Sequence, residues 1–187
     1  MDKIVLDIET KNSFFDVGQD NTAALEPSFV GVYSYDQDAY LSFFENEFDK
    51  LGELLKRTRL VVGFCLRKFD MPVLKRFFSF DVTAIPTVDL FEDIQKAVGF
   101  RIGLNALAYA NTGARKTHHG LEAIELYKKG DFEELKNYCL NDVKLTKDLY
   151  EMARDKGYLW VPRRDHPEMI KLALNYPKDE FVQAQLL

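Results

Sequence analysis

Cysteine is scarce: the 187-residue chain has two, Cys65 and Cys139, and no Cys-x-x-Cys pair. That excludes a disulfide framework, and reduced thiols in an intracellular, cytoplasmic protein are the expectation. The three histidines have no carboxylate or cysteine partners at metal-ligand spacing, which argues against zinc. No apolar run is long enough to span a membrane. The first residues carry Asp2, Lys3, Asp7 and Glu9 where a signal peptide would place its apolar region, so neither membrane nor export is expected. An excess of positive charge is missing as well. Twenty-five Lys and Arg stand against 30 Asp and Glu, a net charge of −5, which argues against a large non-specific footprint on nucleic acid. There is no internal repeat and no low-complexity run.

What is present suffices for a core. The chain is 47% hydrophobic and 13% aromatic, and its length suits one domain. Residues 4–10 read as a buried strand. Residues 11–27 read as a long irregular connection, and such connections are often functional. Two strands, 29–35 and 39–44, follow around an acidic turn, so the first three strands are expected to form an antiparallel meander. A helix over 45–57, a strand at 60–64, a helix over 71–78, a strand at 86–90 and a helix over 91–98 come next. Helices at 104–111 and 118–129 each end at a glycine, Gly113 and Gly130. A long helix opens at Asp131, whose spacing to Glu134 is that of a capping box, and runs to about residue 155. The remainder, 158–187, is expected to be a C-terminal extension packed on or following a domain of residues 1–157. It opens with a possible short strand at 158–161 and is otherwise weakly helical. Three meandering strands followed by alternating units imply an α/β fold, a mixed five-stranded sheet with helices on both faces, of the ribonuclease H-like kind.

Four acids stand out against this pattern. Asp7 and Glu9 alternate onto one face of the first strand, where two carboxylates repel unless a cation lies between them. A hydrated strand end is the alternative. Asp70 stands where a helix follows a strand, and as an N-cap before Pro72 it would need no further role. Asp142 falls on the apolar stripe of the long helix, one turn from Tyr138, where a salt bridge to a lysine such as Lys144 is the alternative.

Three segments carry a family resemblance. Leu6-Asp7-Ile8-Glu9-Thr10 resembles the Asp-x-Glu motif of the DEDD superfamily of 3′–5′ exonucleases. Phe69-Asp70, running into a helix, resembles the second motif. Tyr138-Cys139-Leu140-Asn141-Asp142 resembles the third in its tyrosine form, with Asn137 where the histidine form has its histidine. Over residues 1–157 the chain is most similar to exonucleases related to the family-B DNA polymerase proofreading domain. The resemblance implies 3′–5′ hydrolysis of single-stranded nucleic acid, DNA favoured over RNA. Two divalent cations, Mg²⁺ or Mn²⁺, would be held by Asp7, Glu9, Asp70 and Asp142, with Tyr138 orienting the attacking water. Reserving four acids for metal leaves the rest of the chain at −5 + 4 = −1. One departure is Cys65, five residues before Asp70, where relatives often have an Asn that can contact substrate. A non-catalytic binding module and a structure-specific endonuclease on the same fold stand as alternatives.

Candidate substrate contacts follow from position. Phe14 and Phe15, just after the first acids, are either base-stacking platforms or loop anchors. Arg67 and Lys68 are the basic residues nearest the site in sequence. Arg115, Lys116, His118 and His119 form a further basic cluster in a loop before a helix. Asp16, Asp89 and Asp93 belong to no motif and read as surface or turn residues. No protein partner is indicated.

Overall fold

The computed structural model describes residues 1–114, 122–164 and 166–177. The basic cluster at 115–119 and the tail 178–187 lie outside the described residues.

β1 (Asp2–Thr10) is the middle of a five-stranded sheet. β2 (Pro27–Ser34) and β3 (Ala39–Phe44) extend it on one side as an antiparallel meander. β4 (Thr58–Gly63) and β5 (Thr87–Asp89) extend it in parallel on the other, giving the order β3-β2-β1-β4-β5. The mixed α/β sheet is therefore as the sequence implied.

The period-two alternation of β1 divides two cores. Ile4, Leu6 and Ile8 face α2 (Phe48–Lys56) and α3 (Asp70–Leu74), packing with Leu51, Leu54, Leu55, Val73 and Leu74. Val5 and Val62 face the other way, against Ile94 of α4 (Leu90–Val98), Leu107 of α5 (Leu104–Thr112) and Val143 and Leu149 of α7 (Phe132–Lys156). Each fully buried aliphatic side chain contributes about 1.5–3 kcal/mol. Helices thus cover both faces. No helix of the described residues is long and apolar enough to cross a membrane.

Three expectations change. The 11–27 connection holds a short helix, α1 (Phe14–Val17), and a 3₁₀ turn, Thr22–Ala24. The helix expected over 71–78 stops at Leu74 and tightens into a 3₁₀ turn, Lys75–Phe77. There the Arg76 guanidinium donates to the carbonyls of Ala23 and Leu25 at 2.7 and 2.8 Å, and Phe77 and Phe78 stack on Phe48. Tertiary contacts have overridden local propensity.

The third change is at the C-terminal end. After α6 (Glu122–Lys129) and α7, the chain makes a hairpin of β6 (Tyr158–Arg163) and β7 (His166–Ala173), where the second half was expected to be weakly helical. Its period is two: Ile170 and Leu172 turn toward the core that holds Leu159 and Val161, while Met169 and Lys171 turn out. Gly157, at φ 76°, ends α7 in the left-handed region and starts the hairpin, and its carbonyl accepts from the Leu174 N–H at 3.0 Å.

Candidate active site

Asp7 and Glu9 share the face of β1 that looks at α7, so the parity argument holds. Opposite Asp7 in the β1–β2 ladder is Gly31. Here the helix comes so close that a Cβ on Gly31 would lie 2.9 Å from Cys139 Sγ, 3.1 Å from Val143 Cγ2 and 3.2 Å from Leu140 Cδ2. Glycine at this place is what lets α7 lower its third-motif residues onto β1. The Cys139 thiol donates to the Asp7 backbone carbonyl at 3.4 Å and to Asp7 Oδ2 at 3.5 Å. Ligand atoms of Asp7, Glu9 and Cys139 all lie within 4.8 Å of one another.

Asp70 arrives from the other side of the strand end. It is buried, and its Oδ1 accepts from the Ile8 backbone N–H at 3.1 Å. It is the first residue of α3, not its cap; the N-cap position belongs to Phe69. Burial pushes the Asp70 carboxyl well above the usual carboxylate range, and the neighbouring charge of Asp7 pushes it further. Asp142 and Tyr138 are both buried on the inner face of α7. Lys144, a possible structural partner for Asp142, lies 2.5 Å from Asp148. Burial, then the charges of Glu9, Asp142 and Asp7, hold the Tyr138 hydroxyl far above its ordinary value. Burial and the charges of Asp7, Glu9 and Asp142 do the same to the Cys139 thiol. With no cation bound, Cys139 is thus a neutral donor beside Asp7.

Asp7, Glu9 and Asp142 thus act together on Tyr138 and Cys139, and Asp70, held by the Ile8 N–H, feels the charge of Asp7. Their chemistry fits a hard divalent cation. The four acids supply only carboxylate oxygens, and the Asp7 charge that adds to burial in raising Asp70 is what a cation would relieve.

Asp89 was expected at the surface and is instead fully buried. Its carboxylate accepts from the backbone N–H groups of Cys65 (3.0 Å), Arg67 (2.9 Å) and Glu92 (3.2 Å). It caps α4 and fastens the loop that leads to Asp70. A glutamate three residues on, at Glu92, was the sequence signal for such a cap. Gly31 is the other site residue that the sequence did not single out. Asp93, also expected at the surface, is half-buried and accepts from the Tyr176 hydroxyl at 2.9 Å. Asp16 is exposed as expected, and lies in α1, where its carboxylate accepts from the Ser13 N–H and hydroxyl.

The candidate substrate contacts divide. Phe14 is packed on the core, edge-to-face with Phe69 at 5.8 Å, so it anchors the loop; Phe15 is 93% exposed. Arg67 is exposed, and its guanidinium donates to Thr87 Oγ1, the Thr87 carbonyl and Glu92. Lys68 is exposed and reaches Glu92 at 3.6 Å. Cys65 is half-buried and holds φ 72°, a left-handed conformation in which Asn is several-fold enriched among non-glycine residues. Burial and the charge of Asp70 push its thiol up to about 11, so it is neutral near pH 7.

No curated protein matches the chain. Among solved structures it is similar to the family B DNA polymerase from the hyperthermophilic archaeon Pyrobaculum calidifontis, with a TM-score of 0.64 and 17% identity over 82% of this chain and 24% of that one. It is also similar to the zinc-ion-bound form of the E. coli ExoI–ssDNA complex, with a TM-score of 0.53 and 14% identity over 83% of this chain and 40% of that one. The chain spans less than half of either protein, and at these identities the likeness is one of fold. The RNase H superfamily model matches residues 4–154, from the first strand through nearly all of α7, and the chain belongs to that superfamily.

Proposed function

We propose that this protein is a metal-dependent 3′–5′ exonuclease that removes nucleotides from the 3′ end of single-stranded nucleic acid, DNA in preference to RNA. The observation that carries the reading is the convergence of Asp7, Glu9, Asp70 and Asp142 with Tyr138 at one strand end, in a chain of this superfamily. The likeness to a polymerase and to ExoI, the latter in a complex with ssDNA, supports the choice of substrate.

The four carboxylates would hold two Mg²⁺ or Mn²⁺ ions. When bound, such ions supply an acidified water and neutralise charge at the leaving 3′ oxygen. The chain's own part is positioning. The Ile8 N–H fixes one oxygen of Asp70, and the Cys139 thiol orients Asp7. Tyr138 keeps its proton because burial and three nearby acids oppose ionisation. Its hydroxyl is suited to donate a hydrogen bond to the water or to a phosphate oxygen. Phe15, on the loop after Glu9, offers a face for the terminal base, and Lys68 a charge for its phosphate.

Oligonucleotides labelled at the 3′ or 5′ end, as DNA and as RNA, test the reading with Mn²⁺, Mg²⁺ or chelator. The expected result is release of 3′-terminal nucleotides that requires metal and that Asp7→Ala and Asp142→Ala abolish, with both variants folded. Wild-type rates in the Asp7→Ala protein would overturn the assignment.

A further inference from the structure

The hairpin that follows α7 forms, with the α4–α5 connection, a surface of opposite character to the acid cluster. Two adjoining hollows of about 680 and 480 Å³ share Phe100, Arg101, Arg163 and Arg164 as lining, and neither is lined by an Asp or Glu among the described residues. The nearest described acid of the hairpin is Glu168, which has the strand parity of Ile170. All three arginines are exposed. Arg163 and Arg164 make no ion pair among the described residues, in contrast to Arg67, which lies 3.2 Å from Glu92. In a chain with net charge −5, three exposed guanidinium groups lining adjoining hollows are a departure. Such groups are suited to phosphate.

The groove is linked by packing to the loop that carries Asp70. The Arg101 guanidinium lies over the Phe91 ring at 5.2 Å, and Phe91 packs edge-to-face on Phe64 at 5.5 Å. Phe64 and Cys65 begin the loop that delivers Asp70, and Arg101 is near enough to act on the Cys65 thiol electrostatically. Half-buried Phe100 lies on the floor between the charges, where a base can stack.

From this juxtaposition we infer that the groove between the α4–α5 connection and the β6–β7 hairpin binds the phosphate backbone of single-stranded DNA, upstream of the nucleotide whose bond is broken. Arg101, Arg163 and Arg164 contact successive phosphates, and the hairpin sets how much of the strand is gripped. The inference rests on the nuclease reading for its choice of ligand.

The test is the salt dependence of oligonucleotide binding by the full chain, with Ca²⁺ replacing Mg²⁺ to suppress cleavage. Each neutralised phosphate of a single strand contributes about 0.7 to the slope of log K against log salt. For a dodecathymidylate, replacing both Arg163 and Arg164 by Ala is expected to lower the slope by about 1.4. Replacing both by Lys restores it, which separates lost charge from lost folding. Lys171→Ala keeps the wild-type slope, because that lysine belongs to the same hairpin but rests on Tyr158, 4.0 Å from its ring, outside the groove. Wild-type affinity is expected to rise from a trinucleotide to the dodecamer. An affinity independent of length, a double-Ala slope equal to wild type, an equal loss in Lys171→Ala, or equal competition by polyglutamate would each overturn the groove while leaving the nuclease reading intact. Arginine-dependent binding without metal-dependent cleavage would overturn the nuclease reading alone. No binding of any oligonucleotide would overturn both.

Discussion

Replacing Gly31 by Ala adds one methyl group at the tightest contact beneath the site. On strand propensity alone, Gly→Ala gains roughly 0.5–1 kcal/mol, because glycine loses more backbone freedom on folding. The structure predicts the opposite sign. The new Cβ meets Cys139 Sγ at 2.9 Å, with Val143 and Leu140 at 3.1 and 3.2 Å behind it. All three belong to a helix that cannot move one residue without moving the rest. Overpacking of this kind costs about 1–3 kcal/mol. The net expectation is a loss of about 1–2 kcal/mol, a fall in Tm of roughly 2–8 °C for a domain of this size. Because the strain is relieved by lifting α7 off β2, Tyr138 and Asp142 move away from Asp7. Nuclease turnover is therefore expected to fall well beyond the small change in folded fraction. Urea melts with initial rates measure both. Adding Cys139→Ala removes the 2.9 Å contact, so the double variant should be more stable than the sum of the singles by at least about 0.5 kcal/mol. A Gly31→Ala protein that is more stable than wild type and fully active would refute the reasoning.

Three further expectations concern other parts of the site. Tyr138→Phe should lower turnover by about ten- to a thousandfold with metal binding retained, and a change in stability alone would return the residue to the core. In chelator, Asp70 titrates above its unfolded value of 3.8, so its contribution is present below that pH and is lost as pH rises through the folded pKa. The stability difference between Asp70→Asn and wild type should therefore grow with pH, by at most about 1.4 kcal/mol per unit, and Mn²⁺ should shrink it; parallel pH profiles would exclude this. Cys65→Asn suits φ 72° better and should raise Tm by about 2–4 °C, a gain near 1 kcal/mol, whereas β-branched Cys65→Val should lower it; thermal melts decide.

Asp7, Glu9, Tyr138 and Asp142 were legible because they obey a local period, and Asp70 because Phe69-Asp70 resembles a motif. Strand parity puts Asp7 beside Glu9, and helical spacing puts Tyr138 over Asp142. Gly31 was not, since its importance lies in a helix more than a hundred residues away that approaches its backbone. Asp89 carried a cap signal, yet nothing local shows that its other oxygen holds the Arg67 amide. The same limit hid the fate of Arg67, whose partners at Thr87 and Glu92 are brought to it by the parallel β4–β5 pairing. The second half of the C-terminal hairpin escaped because β7 is mostly exposed and its alternation is confined to residues 169–172.

The central place of β1 has a kinetic consequence. Its antiparallel pairing with β2 is a local hairpin-like contact, but the pairing with β4 and the docking of α7 join distant parts of the chain. Contacts of that range form late. On a ribosome, the first strand would be made long before the helix that supplies Tyr138 and Asp142, so the nascent chain carries its acids apart. The last step that brings them together works against burial of Asp70 and its repulsion by Asp7, which together raise Asp70 in the folded chain. Refolding in chelator should therefore be slowed at this step, and divalent cation should speed the appearance of native structure before any substrate is added.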